Sequence, residues 1–213
     1  PIPTYRKYGR WRGNNYRKIT ISTRPDLATP EQISIVESIQ EMMTTSKKNG
    51  FTYGGFFVIA GETGSGKSTI AKLLAHRLHG SLCDNFMLTD PGYSIYDLLH
   101  LVEPEADQPL ILLLDEFDHH IHLAHQHQTE PHKWLTTAVK DKASWNTFAD
   151  QLVDYDNVVV IATTNRTKDW FDQLDPSYLR DGRVSRYFTL TNPQGPSLAQ
   201  RMNQLRFRKN KSE

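Results

Sequence analysis

Phe56-Phe57-Val58-Ile59-Ala60-Gly61-Glu62-Thr63-Gly64-Ser65-Gly66-Lys67-Ser68-Thr69 is the stretch whose reading decides the fold. Residues 56–60 are an unbroken apolar run, the pattern of a strand buried on both faces. Residues 61–68 fit G-x-x-x-x-G-K-[ST], the phosphate-binding loop. Its glycines let the backbone curl until several N–H groups converge on one anion. Ile70, Leu73, Leu74 and Leu78 then recur at helical spacing, and a helix starting there adds a partial positive charge beneath the phosphates. Gly61, Glu62, Thr63, Gly64, Ser65, Gly66, Lys67, Ser68 and Thr69 are therefore the expected nucleotide-binding residues. Lys67 is expected to reach the β- and γ-phosphates of ATP, and the Ser68 hydroxyl to sit on Mg²⁺.

Outward from this loop, strands and helices alternate. Upstream, Thr29 with Pro30 and Gln32 forms a helix-start signature, with Ile33, Val36, Ile39 and Met43 as the apolar face and Asn49-Gly50 as the stop. Downstream come a strand near Leu82–Leu88, a turn at Pro91-Gly92, and a helix carrying Ile95, Leu98, Leu99 and Val102. The run Leu110–Leu114 reads as a central strand, and residues 119–141 as polar and irregular. A helix follows at Trp145, Phe148 and Leu152, then a buried strand at Val158–Ala162, then a short helix capped by Asp175-Pro176. Such alternation means a parallel sheet covered on both sides, a three-layer α/β P-loop fold.

Two strand ends carry chemistry. Leu110–Leu114 runs into Asp115-Glu116, and ligands of α/β sheets lie at the carboxyl ends of strands. Asp115 is placed to hold Mg²⁺ through its water shell, and Glu116 to orient or deprotonate an attacking water. The bland alternative is a solvated acidic turn. Val158–Ala162 runs into Thr163-Thr164-Asn165; the Asn165 amide could hold the same water or touch the γ-phosphate, or simply cap a loop. Further on, Leu174-Asp175-Pro176-Ser177-Tyr178-Leu179-Arg180-Asp181-Gly182-Arg183 sets two arginines three apart. Either is a candidate for neutralising transition-state charge, or a surface salt bridge.

In this order, the four elements resemble the AAA family of ATPases over roughly residues 20–195. That resemblance implies a five-stranded parallel sheet and ATP hydrolysis with Mg²⁺. It implies a ring of identical subunits, hexameric or heptameric, acting on a protein more readily than on nucleic acid. Asn165 matches the position called sensor 1, and Arg180 and Arg183 match arginines that reach a neighbour's nucleotide. Within the family the chain looks most like the subgroup of the mitochondrial Rieske-protein translocase, on Gly50-Phe51-Thr52-Tyr53, Leu88-Thr89-Asp90 and Arg183-Val184. It departs from the family in Glu62-Thr63, where Pro-Pro is usual, and in Ser65, where Thr or Cys is usual. The loop at 88–93 is short for a threading loop, although Tyr93 is a candidate grip; Tyr96, at helical spacing with Leu99, is expected in the core. A nucleic-acid motor and a nucleotide-dependent assembly scaffold are the alternatives.

The ends and one tract stand apart. Residues 1–28 form a basic, aromatic arm (Arg6, Lys7, Arg10, Arg12, Arg17, Lys18 and Arg24 beside Tyr5, Tyr8, Trp11 and Tyr16). It is expected to pack on its own domain or a neighbour, with single-stranded nucleic acid as the alternative. The ATPase core is expected over 29–195. Residues 196–213 form a basic tail with Leu198, Met202 and Leu205 on one helix face, so the family's helical lid is expected to be truncated or absent. His119, His120, His122, His125, His127 and His132 crowd a segment expected to be a solvated loop facing the ring channel; metal binding there is the alternative. The 213 residues carry a net charge of +1, which selects no partner by field alone. A single cysteine, Cys83, and the lack of any apolar run of membrane-spanning length suit a soluble, intracellular chain. Pro1 leaves segments upstream open.

Overall fold

A computed structural model describes residues 1–9, 16–129 and 131–191. In chain order the elements are β1 (Ile2–Lys7), β2 (Tyr16–Ile21), α1 (Pro30–Lys48), β3 (Gly55–Gly61), α2 (Lys67–Arg77), β4 (Ser81–Cys83) and α3 (Ile95–Val102). They continue with β5 (Leu110–Leu114), α4 (Phe117–His125), α5 (Lys142–Leu152), β6 (Val158–Thr164), α6 (Lys168–Leu174) and β7 (Arg186–Leu190).

One sheet organises them, in the order β2-β1-β4-β5-β6-β3-β7. The five strands β4, β5, β6, β3 and β7 are mutually parallel, as expected. The sheet has two strands more than that expectation. β1 joins β4 in parallel at Thr4↔Leu82, and β2 returns antiparallel along β1. The described strands of the basic, aromatic segment thus pair with each other and extend the sheet, while Arg10, Trp11 and Arg12 lie outside the described residues.

The two-residue period of each strand sorts its side chains into two layers. Phe57, Ile59, Ile111, Leu113, Val159 and Ile161 pack with α1 and α2. Phe56, Val58, Leu110, Leu112, Leu114, Val158 and Val160 pack on the other face with α3, α4 and α5. Each such side chain, fully buried, contributes about 1.5–3 kcal/mol of transfer free energy.

Local signals explain several elements. Thr29 caps α1 in a capping box: the Gln32 N–H donates to Thr29 Oγ1 at 3.2 Å and the Thr29 N–H to Gln32 Oε1 at 2.9 Å. Val36, Ile39 and Met43 are buried as expected, but Ile33 is largely exposed and Ile35 takes the inward position. β4 ends at Cys83, earlier than the expected 82–88 strand. Residues beyond it are drawn toward the hairpin instead. Asp84 accepts a fork of two 2.6 Å bonds from Arg6, and Asn85 exchanges hydrogen bonds with the Lys7 main chain. Lys7 itself is buried, donating to the Gly92 carbonyl and lying 4.3 Å above the Tyr93 ring; burial holds its pKa below the ordinary lysine value.

Four expectations need correction. Residues 117–125 are helix α4, because Phe117, His120, Ile121 and Ala124 fill a buried stripe. Asp175-Pro176 starts a series of turns, and the helix lies before it, as α6. Tyr96 is 58% exposed, edge-on to Tyr155, while Ile95 and Leu98 face the core. Tyr93 is half-buried between Phe86 and Lys7, a packed ring and no free grip. The tail at 196–213, and with it the question of a lid, lies outside the described residues.

Candidate nucleotide site

The sheet order β5-β6-β3 brings three strand ends side by side. β3 delivers the loop, β5 delivers Asp115-Glu116 and β6 delivers Thr163-Thr164-Asn165. Gly64 and Gly66 have φ of 82° and 90°, the left-handed region where a side chain is strained. Gly61 is required for a different reason: a Cβ there would lie 2.4 Å from the Leu190 carbonyl oxygen on β7.

Lys67 is the hub of the loop. Its Nζ donates at 2.8 Å to each of three oxygens, the Gly61 carbonyl, the Glu62 carbonyl and Asn165 Oδ1. Three acceptors match the three N–H bonds of an ammonium group. Burial lowers its pKa, and Asp115 and Asp118 oppose that. Asn165 therefore stands beside the loop lysine although 98 residues separate them in sequence.

Ser68 Oγ donates to Asp115 Oδ1 at 2.8 Å, and Thr163 Oγ1 donates to the same oxygen. Two hard oxygens at that spacing fit Mg²⁺, because neighbouring ligands of an octahedron with 2.0–2.1 Å bonds lie about 2.8–3.0 Å apart. Glu116 follows with φ 52° and ψ 43°, left-handed geometry unusual for a residue with a side chain, at the cap of α4. Its N–H reaches Thr163 Oγ1 at 3.3 Å. Among the described residues nothing pairs with its exposed carboxylate, so the group is free to act on a water.

The two arginines part company. Arg183 is buried, 4% exposed. Its Nε and one terminal nitrogen grip both oxygens of Asp150 at 2.6 and 3.0 Å, and the other nitrogen bonds Asn146 Oδ1 and the Ser177 carbonyl. Arg183, expected to reach a neighbour's nucleotide, here turns its planar fork inward and ties the 175–183 turns to α5. Arg180 is exposed, with its side chain 55% accessible and a single 3.3 Å contact to Asp150. Below them Tyr178 is buried, its hydroxyl 3.1 Å from His125 Nδ1 and its carbonyl accepting from Trp145 Nε1.

The family model of the ATPases associated with various cellular activities matches residues 57–192, from β3 to just past β7. The chain belongs to the AAA family. No individual curated protein matches it. The AAA match spans more than half the chain and covers the whole strand-end constellation, but it does not reach down to a subgroup.

Four residues of this AAA site escaped the sequence reading. Thr163 holds Asp115 from below. Thr164 donates to Asp118 at 2.8 Å and accepts from the Arg166 N–H. Asp118 also faces Arg166, at 3.8 Å. Gln32 contacts the loop from α1. The two threonines were quotable from Thr-Thr-Asn, where their burial at a strand end was the missed signal. Among the described residues no three His, Cys, Asp or Glu side chains converge to hold an ion. His120 is buried against Thr89 at 2.8 Å, and His122 lies beside Trp170. Among the described residues, no helix is long and apolar enough to cross a membrane.

Proposed function

We propose that this AAA chain hydrolyses Mg²⁺-bound ATP within a ring of its own copies and uses the cycle to remodel or translocate a protein. One observation carries the hydrolytic reading: Lys67, Ser68, Asp115, Glu116 and Asn165 meet at the ends of three adjacent strands. In this reading the loop N–H groups and Lys67 hold the phosphates. Ser68 and Asp115 hold the metal, which when bound neutralises charge on the β- and γ-phosphate oxygens. Glu116 takes the proton of the attacking water, and Asn165 positions that water or the γ-phosphate.

Arg180 is the residue we assign to a neighbouring subunit's nucleotide. It stands out from the body on turns that Arg183, Tyr178 and Trp145 hold rigidly, the geometry a finger acting across an interface requires. The nucleic-acid alternative loses ground to the hairpin. Arg6 is committed to Asp84, Lys7 is buried, and Arg24 pairs with Asp26. Among that segment's described basic residues, only Arg17 and Lys18 are neither ion-paired nor buried.

Mixing tests both halves of the proposal. Lys67→Ala and Arg180→Ala subunits, each inactive alone, regain part of the ATPase rate when combined, because mixed interfaces pair an intact loop with an intact arginine. A rate for Arg180→Ala equal to the parent's at every protein concentration removes the cross-subunit role.

A further inference from the structure

The loop glycine Gly66 has a neighbour outside the loop. The side-chain amide of Gln32, buried at the start of α1, donates from Nε2 to the Gly66 carbonyl at 3.1 Å. The same amide accepts the Thr29 N–H through Oε1. This network fixes which way the amide points, since a main-chain N–H needs an oxygen and a carbonyl needs an N–H.

The contact is close enough to constrain both partners. A Cβ on Gly66 would meet Gln32 Nε2 at 2.5 Å, and Gly66 already sits at φ 90°. Gly66 is also the residue before Lys67, at the first turn of α2, where it caps the helix without a side chain. The peptide unit joining Gly66 to Lys67 is planar and trans, so its C=O and N–H point in opposite directions. The Gly66 carbonyl also accepts the Thr69 N–H at 3.1 Å, so Gln32 adds a second anchor to the one α2 supplies, and together they aim the Lys67 N–H the other way, away from Gln32. That N–H is one of the donors a phosphate-binding loop presents to its anion.

We infer that Gln32 is a positioning residue for the phosphate site: its amide sets the 66–67 peptide and thereby the loop's affinity for nucleotide. The residue has two separable jobs, since Oε1 caps α1 and Nε2 holds the loop. The inference rests on the reading of residues 61–69 as the phosphate site.

The test uses the full chain, with MgADP and MgATP titrated by calorimetry and thermal melts run alongside. Thr29→Ala removes the cap and leaves the loop contact. Gln32→Met removes both without adding charge. Gln32→Glu keeps the acceptor for the Thr29 N–H and loses the donor. Both Gln32 variants weaken nucleotide binding about three- to tenfold, the worth of one buried neutral hydrogen bond. Thr29→Ala lowers the melting temperature while changing affinity less than twofold. The loss in Gln32→Met, which adds no charge, excludes simple charge repulsion as the cause; salt cannot make that distinction, because it screens a group as buried as this one only weakly. Affinity within twofold of the parent for both Gln32 variants overturns the inference. So does a loss in Thr29→Ala equal to that in Gln32→Met, which makes the residue a helix cap and nothing more. Lys67→Ala separates the two levels: unchanged binding there refutes the phosphate site itself, whereas abolished binding with silent Gln32 variants refutes only the role of Gln32.

Discussion

Acid destabilises this fold through His120 in a way that can be worked out from its surroundings. The ring lies on α4, 2% exposed, with Nδ1 2.8 Å from Thr89 Oγ1. Burial brings its pKa down to about 4 from the ordinary 6.5; the neighbouring His119 adds to this, and Asp90 and Asp118 oppose it. The folded state therefore keeps the ring neutral, while the unfolded chain protonates it near 6.5. Between those values the unfolded state binds more protons, so stability falls as pH falls. The contribution is fully present above about pH 6.5 and is lost by about pH 4. At about 1.4 kcal/mol per pH unit, the gap amounts to about 3 kcal/mol. For a chain of this size that is about 6–12 °C in melting temperature. Melts of the parent and of His120→Gln from pH 7.5 to 4.5 isolate the effect, because carboxylates titrate alike in both. The variant is less stable at pH 7.5, since the amide packs poorly, but its curve is flatter and the two converge on acidification. Parallel curves across that range would refute the assignment of a buried, neutral His120.

The arginines provide a paired prediction. Arg183→Ala strips a buried fork from Asp150, Asn146 and the Ser177 carbonyl; it is expected to cost about 2–4 kcal/mol in denaturant unfolding, independent of protein concentration. Arg180→Ala leaves the unfolding midpoint within about 0.5 kcal/mol of the parent, since its ion pair is exposed, but lowers ATP turnover about 10³-fold or more. Thr163→Val, which keeps the shape and removes the hydroxyl beneath Asp115, is expected to weaken the Mg²⁺ dependence of turnover, read as a several-fold rise in the metal concentration giving half-maximal rate. Replacing the exposed Glu62 with Gln is expected to tighten ATP binding about twofold at low salt and to have no effect at 0.5 M salt.

The fold was legible wherever a strand was buried on both faces. Phe56–Ala60, Leu110–Leu114 and Val158–Ala162 announce themselves as apolar runs, and their ends locate Lys67, Asp115, Glu116 and Asn165 without further help. Features that depend on distant partners were not legible. β1 alternates polar and apolar residues around Pro3 and gains its identity from Leu82 and Asp84, 78 residues away from Thr4 and Arg6 respectively. α4 was hidden because His120 occupies a position in the buried stripe where a polar letter breaks the pattern. Arg183 was indistinguishable from Arg180 by spacing; burial and the added bonds to Asn146 and the Ser177 carbonyl set it apart from the exposed Arg180. Gln32 was legible as half of a capping box, but its second bond, to Gly66, was not.

The most direct test of the central claim is the steady-state release of phosphate from MgATP by the full chain, measured for the parent and for Glu116→Gln together with ATP affinity. The account expects the parent to turn over. It expects the variant to bind ATP within about threefold of the parent while its turnover falls about 10²-fold or more, as loss of a general base requires. A Glu116→Gln chain that hydrolyses ATP at the parent's rate, or a parent that binds MgATP tightly and never turns it over, would contradict it.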